Sequence, residues 1–370
     1  MKVALVHDWL NQNGGAEDVL ETLAEMYPSA PVYTSIYAPD LLPDTYRAWD
    51  IRTSWLDHLP GIHRHHQQYL PLYPLAFDRL DLSAYDVVLS NKSGFCHGLR
   101  SGANTVHICY CLTPTRYIWD LDSYLARENF GAATRAASRL VAAAYRRWDY
   151  TAAQRVDRFV AISTEVQARI QHIYHRESVI IYPPVEAAER FTPAPSHDDY
   201  FLALSRLVPY KRIDLAVEAC TRLGLPLLVG GTGRDRERLE ALAGPTVQFL
   251  GYVPDEDLPE LFARCRAFIF PGLEDFGIVP VQAMAAGRPV IAYRGGGSLD
   301  TVIPGQTGAF FEQQTVESLM AALQAFDERD YDPAAIRAHA LRFDVSNFTQ
   351  QIAEYVAHAW DAHRAAGSPA

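Results

Sequence analysis

The sequence has 370 residues, of which 49% are hydrophobic and 21% are charged, and its formal net charge is -11. A chain of this length exceeds one ordinary core, so we expect two domains of about 100–200 residues each. The acidic balance excludes a general nucleic-acid binder, because neutralising phosphates requires an excess of basic side chains on a surface.

Short runs rich in valine, isoleucine and leucine recur between helical patterns in both halves of the chain, as is typical of buried parallel strands. In the first half they are Val3–His7, Val87–Ser90, Thr105–Tyr110, Phe159–Ser163 and Val179–Tyr182. In the second half they are Tyr200–Ser205, Pro226–Val229, Val247–Leu250, Ala267–Phe270 and Pro289–Tyr293. The pattern predicts an α/β protein with two parallel sheets built from βαβ units.

A proline-rich segment, YPPVEAAERFTPAPSHDD from Tyr182 to Asp199, separates the two halves and predicts a stiff connector. We therefore place an N-terminal domain at residues 1–185 and a C-terminal domain at residues 197–345. The last helix, within residues 346–370, is expected to pack back on the first domain. Open α/β sheets bind ligands at the carboxyl ends of their strands, so two such domains facing each other would enclose a cleft.

Glycines and cations follow the first strand of each predicted domain. Gly14 and Gly15 open a helix whose N–H groups could approach an anion, although a plain helix start explains them equally well. In SRLVPYKRID, Arg206 closes a strand and Lys211 begins the next helix. Two cations at one strand edge suit a diphosphate, while each residue alone is more often a solvated surface charge.

The stretch GGTGRDRERL resembles a dinucleotide-binding fingerprint, but Arg236 stands where the third glycine belongs. The motif therefore does not predict hydride transfer with a dinucleotide. A packing role for Gly231 and Gly233 is favoured instead. After the next strand, the turn at Gly251 and Tyr252 could offer an apolar wall to a nucleotide base.

The stretch EDFGIVPVQAMAAG places Glu274 in a loop that feeds the N-terminus of a helix beginning near Ile278. A sugar laid across this turn could donate hydroxyl protons to Glu274 and accept from the amides of Phe276, Gly277 and Ile278. A carboxylate suits hydroxyls better than phosphate, so Glu274 is predicted to bind sugar, with Gln282 one turn inside the helix. Farther on, Gly295–Gly297 could form an anion-binding nest or a flexible turn.

In this order the motifs resemble the retaining family-four glycosyltransferases of GT-B fold, over nearly the whole chain. The landmarks are GGAE, YPPVE, SRLVPYKRID, GTGRDRERL, FLGYV, EDFGIVPVQAMAAG and GGGSLDTV. HICYCLTPTRYIWDLDSY and RRWDYTAAQRVDRFVAIS resemble the bacterial enzymes that use GDP-mannose to build surface polysaccharides. The resemblance implies two Rossmann-like domains with parallel sheets facing across a cleft.

The same resemblance implies roles for single residues. Arg206 and Lys211 would hold the diphosphate, and Glu274 with the amides after it would hold the donor sugar. Gly14 and Gly15 would serve the donor and acceptor side of the first domain. Thr113 and Arg116 would face the acceptor, a glycan or a lipid-linked sugar.

Two positions depart from the family pattern: Gln282 stands where a glutamate usually holds the ribose, and Leu112 replaces a histidine that meets the donor sugar. They motivate one alternative, a catalytically weak or silent sugar-nucleotide-binding protein; a UDP-sugar-dependent transferase and a two-domain epimerase are others. For the transferase, retention without a second carboxylate suggests front-face attack, with no metal and no cofactor besides the nucleotide sugar.

Other polar groups invite competing interpretations. Asp120-x-Asp122 resembles a metal-binding pair and His63, His65 and His66 form a cluster, but solvated loop acids and surface histidines explain them better.

Around Thr134–Tyr150, three arginines are predicted on one helical face and an apolar group on the other. These sets are Arg135, Arg139 and Arg146, and Leu140, Val141, Ala144 and Trp148. That pattern suits docking on a membrane surface or ordinary packing against the first sheet.

The location is predicted to be cytoplasmic, with peripheral contact at the inner face of the plasma membrane. Five scattered cysteines, an odd number, favour neither a disulfide framework nor a thiolate metal site. The apolar run near Met1 is too short for a signal peptide, and no run of about 18 apolar residues predicts a membrane span.

Overall fold

The computed structural model describes residues 1–121 and 132–367, which divide into two compact units. The first unit comprises Met1–Tyr182 and the C-terminal segment from Phe348 onwards, and the second is Pro183–Asn347. Each unit contains one parallel sheet, with seven strands in the first and six in the second. Both units are Rossmann-like, and the chain has the GT-B type of α/β fold.

The first sheet has the strand order β3-β2-β1-β4-β5-β6-β7, and all of its strand pairs are parallel. Its strands are β1 (Val3–His7), β2 (Val32–Thr34), β3 (Ile51–Thr53), β4 (Val87–Lys92), β5 (Val106–Cys111), β6 (Arg158–Ala161) and β7 (Ser178–Ile180). The order reverses between β1 and β4, and in open α/β sheets ligands bind beside such a reversal.

The second sheet repeats this arrangement with the order β10-β9-β8-β11-β12-β13. Its strands are β8 (Phe201–Leu204), β9 (Leu227–Gly230), β10 (Val247–Gly251), β11 (Ala267–Phe270), β12 (Val290–Tyr293) and β13 (Gly308–Phe311). The reversal lies between β8 and β11, so the loops that follow these two strands meet at one edge of the sheet.

Helices connect the parallel strands in both units, as parallel pairing requires. Those of the first unit are Gly15–Met26, Ile62–His65, Tyr73–Phe77, Arg116–Trp119, Ala132–Ala153 and Thr164–Tyr174. Those of the second are Ala187–Arg190, Ile213–Leu223, Arg236–Leu242, Leu258–Arg264, Ile278–Ala285, Ser298–Thr301, Val316–Ala325 and Pro333–Ala340. The last helix, Val345–Gly367, begins at the unit boundary, and its Phe348 packs edge-on against Tyr110 of the first unit.

All ten strands predicted from apolar runs are present, with ends that differ by one or two residues. The sequence analysis missed the short strands β2, β3 and β13, which have three, three and four residues. All five cysteines are free and buried, which is consistent with their apolar surroundings.

The helix Ala132–Ala153 does not present the faces predicted for it. Trp148 packs into the core beside Phe95, but Val141 is 52% exposed and Ala144 is exposed too. Arg146 lies over the Trp119 ring instead of facing solvent. The prediction of these two faces was wrong, and the fully buried Asp149, which it did not consider, lies on the inward side of the helix.

The side chains of Arg135 and Leu140, which belong to the same prediction, lie outside the described residues, as does Asp122. Within the described parts of the chain, no helix is long and apolar enough to span a membrane.

Candidate donor-sugar site and acceptor-side loop

The loop after β8 brings two cations next to one aromatic ring. Arg206 is exposed, and its Nη2 donates to the Tyr210 hydroxyl over 3.1 Å. The Lys211 ammonium lies 5.5 Å from the centre of the Tyr210 ring, within the range of a cation–π contact. Tyr210 therefore connects both predicted phosphate-binding residues, and the sequence analysis did not single it out.

Lys211 and Glu274 are direct partners. The Lys211 ammonium donates to Glu274 Oε1, and the two side chains are only 15% and 21% exposed. The sequence analysis assigned the two residues to neighbouring parts of one ligand without predicting that they touch. A phosphate that binds Lys211 would therefore compete with the Glu274 carboxylate for the ammonium.

Glycines allow the loops around Glu274 to approach backbone against backbone. A Cβ on Gly296 would lie 2.2 Å from the Glu274 carbonyl oxygen, and one on Gly297 would lie 2.2 Å from Phe276 Cα. Gly297 N–H donates to the Glu274 carbonyl over 2.8 Å. The glycine run therefore supports the Glu274 loop. Because the Gly297 amide already donates to that loop, it cannot also donate to an anion.

The helix Ile278–Ala285 starts directly after the Glu274 loop, close to its predicted position. Gly277 precedes it with φ of 92°, a conformation that glycine adopts without strain. Phe276 is buried against Phe343, while Ile278 and Gln282 are partly exposed. The first amides of a helix have no intrahelical partner, so this N-terminus can donate to a ligand oxygen.

The GGTG loop after β9 packs on the backbone that leads to Arg206. A Cβ on Gly231 would lie 1.9 Å from the Ser205 carbonyl oxygen, and Gly233 makes the same kind of approach to Leu207. This geometry agrees with the packing role favoured from the sequence. Tyr252, after β10, is 74% exposed and can offer its ring to a base.

In the first unit, Gly14 and Gly15 are exposed at the start of the helix Gly15–Met26. The Gly14 carbonyl accepts from the amides of Glu17 and Asp18, so the turn is a regular helix start. Glu17 lies buried behind it, with Oε1 3.3 Å from His7 Nε2. The turn fits the structural alternative, a plain helix start, and the anion site at its first amides stays a prediction.

Thr113 and Arg116 lie on one short loop after β5, also in the first unit. Thr113 is buried, and its hydroxyl accepts from Arg169 Nη1 at 3.4 Å. Arg116 is the first residue of the helix Arg116–Trp119 and is partly exposed. Leu112, the departure from the family pattern, immediately precedes this loop, and its amide donates to the Lys92 carbonyl.

Among the described residues, the histidines that invited a metal site do not form one. His63 pairs with Asp57 over 2.7 Å, and His66 lies against Trp9 with its pKa lowered by burial. Across the described ranges, no group of three or more histidine, cysteine, aspartate or glutamate side chains could hold a metal ion. Asp122 is outside those ranges.

Two family models match the chain in succession. The model described as Glycosyltransferase Family 4 matches residues 13–189, and the one described as Glycosyl transferases group 1 matches residues 185–340. Two successive Rossmann-like units, each matched by a glycosyltransferase model, are the architecture of the GT-B class. The chain belongs to the family-four glycosyltransferases of GT-B fold.

Several curated relatives are mannosyltransferases. The GDP-mannose-dependent alpha-(1-6)-phosphatidylinositol monomannoside mannosyltransferase of Mycolicibacterium smegmatis is 31% identical over 171 residues, which cover 38% of this chain and 45% of the relative. The O-antigen chain mannosyltransferase B of Escherichia coli is 32% identical over 169 residues, which cover 41% and 44%. The chain thus spans less than half the length of these relatives.

Solved structures agree on the fold over almost the full length. The sucrose-phosphate synthase of Thermosynechococcus elongatus superposes with a TM-score of 0.75 at 19% identity, covering 98% of this chain and all of that one. Anabaena Alr3699/HepE in complex with UDP and glucose gives a TM-score of 0.69 at 20% identity, with 96% and 99% covered. At these identities the likeness shows the fold alone.

The packing of Gly297 on the Glu274 loop generates a first prediction. We expect Gly297→Ala to lower the free energy of unfolding by about 3 kcal/mol, because the added methyl group meets backbone that cannot yield. Chemical denaturation followed by circular dichroism measures the change.

Gly305→Ala is the matched control for this substitution. Gly305 has φ of 77° but no atom within 4 Å of an added Cβ, so only the conformational strain of about 1–2 kcal/mol is expected. Equal losses in the two variants would contradict the proposed backbone-to-backbone packing.

Proposed function

We propose that the chain is a retaining glycosyltransferase that moves a hexose, mannose in the first instance, from GDP-mannose to a glycan or lipid-linked acceptor. The observation that carries this proposal is the contact between Lys211 and Glu274 at the carboxyl edge of the second sheet. It puts a phosphate-binding cation beside a hydroxyl-binding carboxylate, the pair of groups that a sugar diphosphate requires. The mannosyltransferase names of several relatives support the choice of sugar.

In this proposal, the two cations after β8 bind the diphosphate. Arg206 supplies a planar fork of donors and Lys211 a point charge, and Tyr210 holds both in reach. Glu274 accepts from sugar hydroxyls, while the amides of Phe276, Gly277 and Ile278 donate to sugar or phosphate oxygens. Tyr252 offers its exposed ring to the base, and Gln282 replaces a carboxylate in binding the ribose.

The acceptor side is assigned to the first unit. Gly14 and Gly15 present the start of a helix, and Thr113 and Arg116 share one loop at the carboxyl edge of the first sheet. The acceptor contributes a hydroxyl whose oxygen becomes bonded to the sugar. Orientation of that hydroxyl accounts for a large share of the rate enhancement.

The chemical step exchanges one bond for another on the sugar. The bond from C1 to the phosphate oxygen breaks, and its electron pair leaves with the nucleoside diphosphate. The acceptor oxygen bonds to C1 from the same face and passes its proton to the departing phosphate oxygen. Arg206 and Lys211 stabilise the charge on the leaving phosphate, so the proposal requires no metal and no cofactor besides the nucleotide sugar.

Leu112 and Gln282 keep the alternatives open. A catalytically weak or silent protein would bind the sugar nucleotide without turning it over. A UDP-sugar-dependent transferase is the other alternative, since Alr3699/HepE was crystallised with UDP and glucose. Cations that recognise the diphosphate do not read the base, so the same phosphate site serves either nucleotide.

A binding panel tests the donor site. We expect GDP-mannose to raise the melting temperature more than UDP- or dTDP-sugars do, because ligands that bind the native state stabilise it by mass action. Glu274→Gln and Lys211→Met should each weaken donor binding by about 10- to 100-fold, as expected for losing a charged hydrogen bond. Differential scanning fluorimetry over a range of donor concentrations measures both effects.

Glu312→Gln is the matched control for the panel. Glu312 pairs with Arg294 on the surface of the same unit and is 64% exposed, so donor binding should not change. Tighter binding of UDP-sugars would contradict the assignment of guanine as the base. Donor binding that is unchanged in both site variants would contradict the assigned donor site.

The stereochemistry of the product gives an independent test. We expect transfer from GDP-mannose to yield an α-mannoside, because front-face attack retains the configuration at C1. Proton NMR of the isolated product reads the anomeric linkage, and the rate should be unchanged when EDTA is present. A β-linked product would exclude front-face attack, and loss of activity with EDTA would reject a metal-independent reaction.

The proposal includes peripheral contact with the inner face of the plasma membrane, in the cytoplasm. Its support is that Arg139, Val141, Arg147 and Tyr150 of the helix Ala132–Ala153 are all exposed. Basic and apolar groups together suit an anionic lipid surface.

We expect the protein to float with anionic liposomes at low salt and to dissociate at high salt. Replacing both Arg139 and Arg147 by glutamine should abolish flotation, whereas Arg222→Gln on the second unit should not. If the double variant still floats with the liposomes, the membrane contact does not involve this helix.

A further inference from the structure

Lys92 is a fully buried lysine at the end of β4. Lysine is almost never fully buried unless it is paired, so its environment requires an explanation. Its ammonium donates to the Thr113 carbonyl and to the Thr115 hydroxyl, both over 3.1 Å. It also lies 5.9 Å from the centre of the Tyr174 ring. Two of these contacts are made to the loop that carries the predicted acceptor residues.

Asp149, on the helix Ala132–Ala153, is a fully buried carboxylate that contacts the same loop. It accepts from the Thr115 hydroxyl over 2.9 Å, from Trp119 Nε1 over 2.6 Å and from the Tyr174 hydroxyl over 2.7 Å. His97 Nε2 lies 3.3 Å from Asp149 Oδ1, and burial lowers the pKa of His97 well below its usual value. A neutral His97 can donate from Nε2 to the Asp149 carbonyl oxygen, which is also 3.3 Å away.

The Thr115 hydroxyl lies between the two buried charges. It accepts a hydrogen bond from the Lys92 ammonium. It can donate one either to Asp149 or to the Gly94 carbonyl, which lies 2.8 Å away. Burial opposes the charge on Lys92, but the negative charge of Asp149 and other neighbours outweighs burial and raises the Lys92 pKa. The pair is thus a charged one with a hydroxyl between its members.

Stability does not explain such a pair. Replacing a buried ion pair by apolar side chains of similar volume is often neutral or stabilising, whereas an unpaired buried charge is costly. The pair instead fixes the orientation of three groups by hydrogen bonds. The ammonium binds one peptide carbonyl, and the carboxylate binds one hydroxyl and one indole. All three lie on residues 113–119.

We propose that Lys92 is a positioning residue that, through Thr115 and Asp149, holds the loop carrying Thr113 and Arg116 in one conformation at the acceptor side. The inference rests on the function proposed above, which assigns Thr113 and Arg116 to the acceptor. Lys92 touches no substrate in this account. It acts by fixing the Thr113 peptide and the first turn of the helix Arg116–Trp119.

Thr115 offers a pair of substitutions that separate hydrogen bonding from shape. Thr115→Val keeps the volume but removes the hydroxyl between the charges, and Thr115→Ser keeps the hydroxyl. In the full chain, hydrogen–deuterium exchange of amides 112–119 should become about tenfold faster in the valine variant, the equivalent of one lost hydrogen bond, and should return towards the parent rate in the serine variant.

The Lys92 ammonium gives a spectroscopic readout in the same experiment. We expect a slowly exchanging NH₃⁺ signal in ¹⁵N-detected lysine spectra of the parent chain, absent in Lys92→Met and shifted in Thr115→Val. Because Lys92→Met leaves Asp149 unpaired, the charge-neutral double variant Lys92→Met with Asp149→Asn is compared with it. The double variant should melt higher than Lys92→Met and still show fast exchange at 112–119.

Three results would overturn the inference: exchange at 112–119 unchanged in Thr115→Val, a serine variant that behaves like the valine one, or faster exchange that extends equally to the strand β4. Thr151→Val, an exposed threonine on the helix Ala132–Ala153, serves as control and should change nothing. None of these readouts uses a sugar nucleotide, so failure of the donor panel and failure of this inference are distinguishable.

Discussion

The second unit depends on close contact between the backbones of successive loops at one sheet edge. Parallel strands all end on the same side, so the loops after β8, β11 and β12 must share that space. Glycine at positions 296 and 297 lets one loop lie directly on the Glu274 loop, where any Cβ would overlap the backbone. A Cβ on Gly272 would lie 3.1 Å from the Lys211 carbonyl oxygen, so this loop is close as well, and at the same edge the Lys211 ammonium meets the Glu274 carboxylate.

The first unit solves the equivalent problem with buried charge. Asp8, at the end of β1, accepts from the amides of Ser93, Gly94, Phe95 and Cys96 over 2.6–2.8 Å and so fixes the turn after β4. Lys92 and Asp149 fix the loop after β5 from two sides. Charged hydrogen bonds are directional, so they hold these loops in a set geometry. The two units share a topology but position their loops by different interactions.

The two units also differ in the polar groups that they present. The second unit concentrates the groups that suit a sugar diphosphate, namely two cations, one carboxylate and a helix N-terminus. The first unit presents the start of the helix Gly15–Met26 and the loop after β5, which Lys92 and Asp149 hold by hydrogen bonds. Under the proposed function, the second unit binds the donor and the first orients the acceptor.

The sequence by itself determined the two parallel sheets, the helix that begins at Ile278 and the family, because apolar runs and glycine-rich turns are local signals. It also singled out Arg206, Lys211 and Glu274. Only the tertiary structure decided that Lys211 touches Glu274, that Tyr210 links the cations and that Asp149 is buried. Those facts depend on which loops meet at a sheet edge and on where a buried charge finds its partner, and neither is encoded within a short stretch of chain.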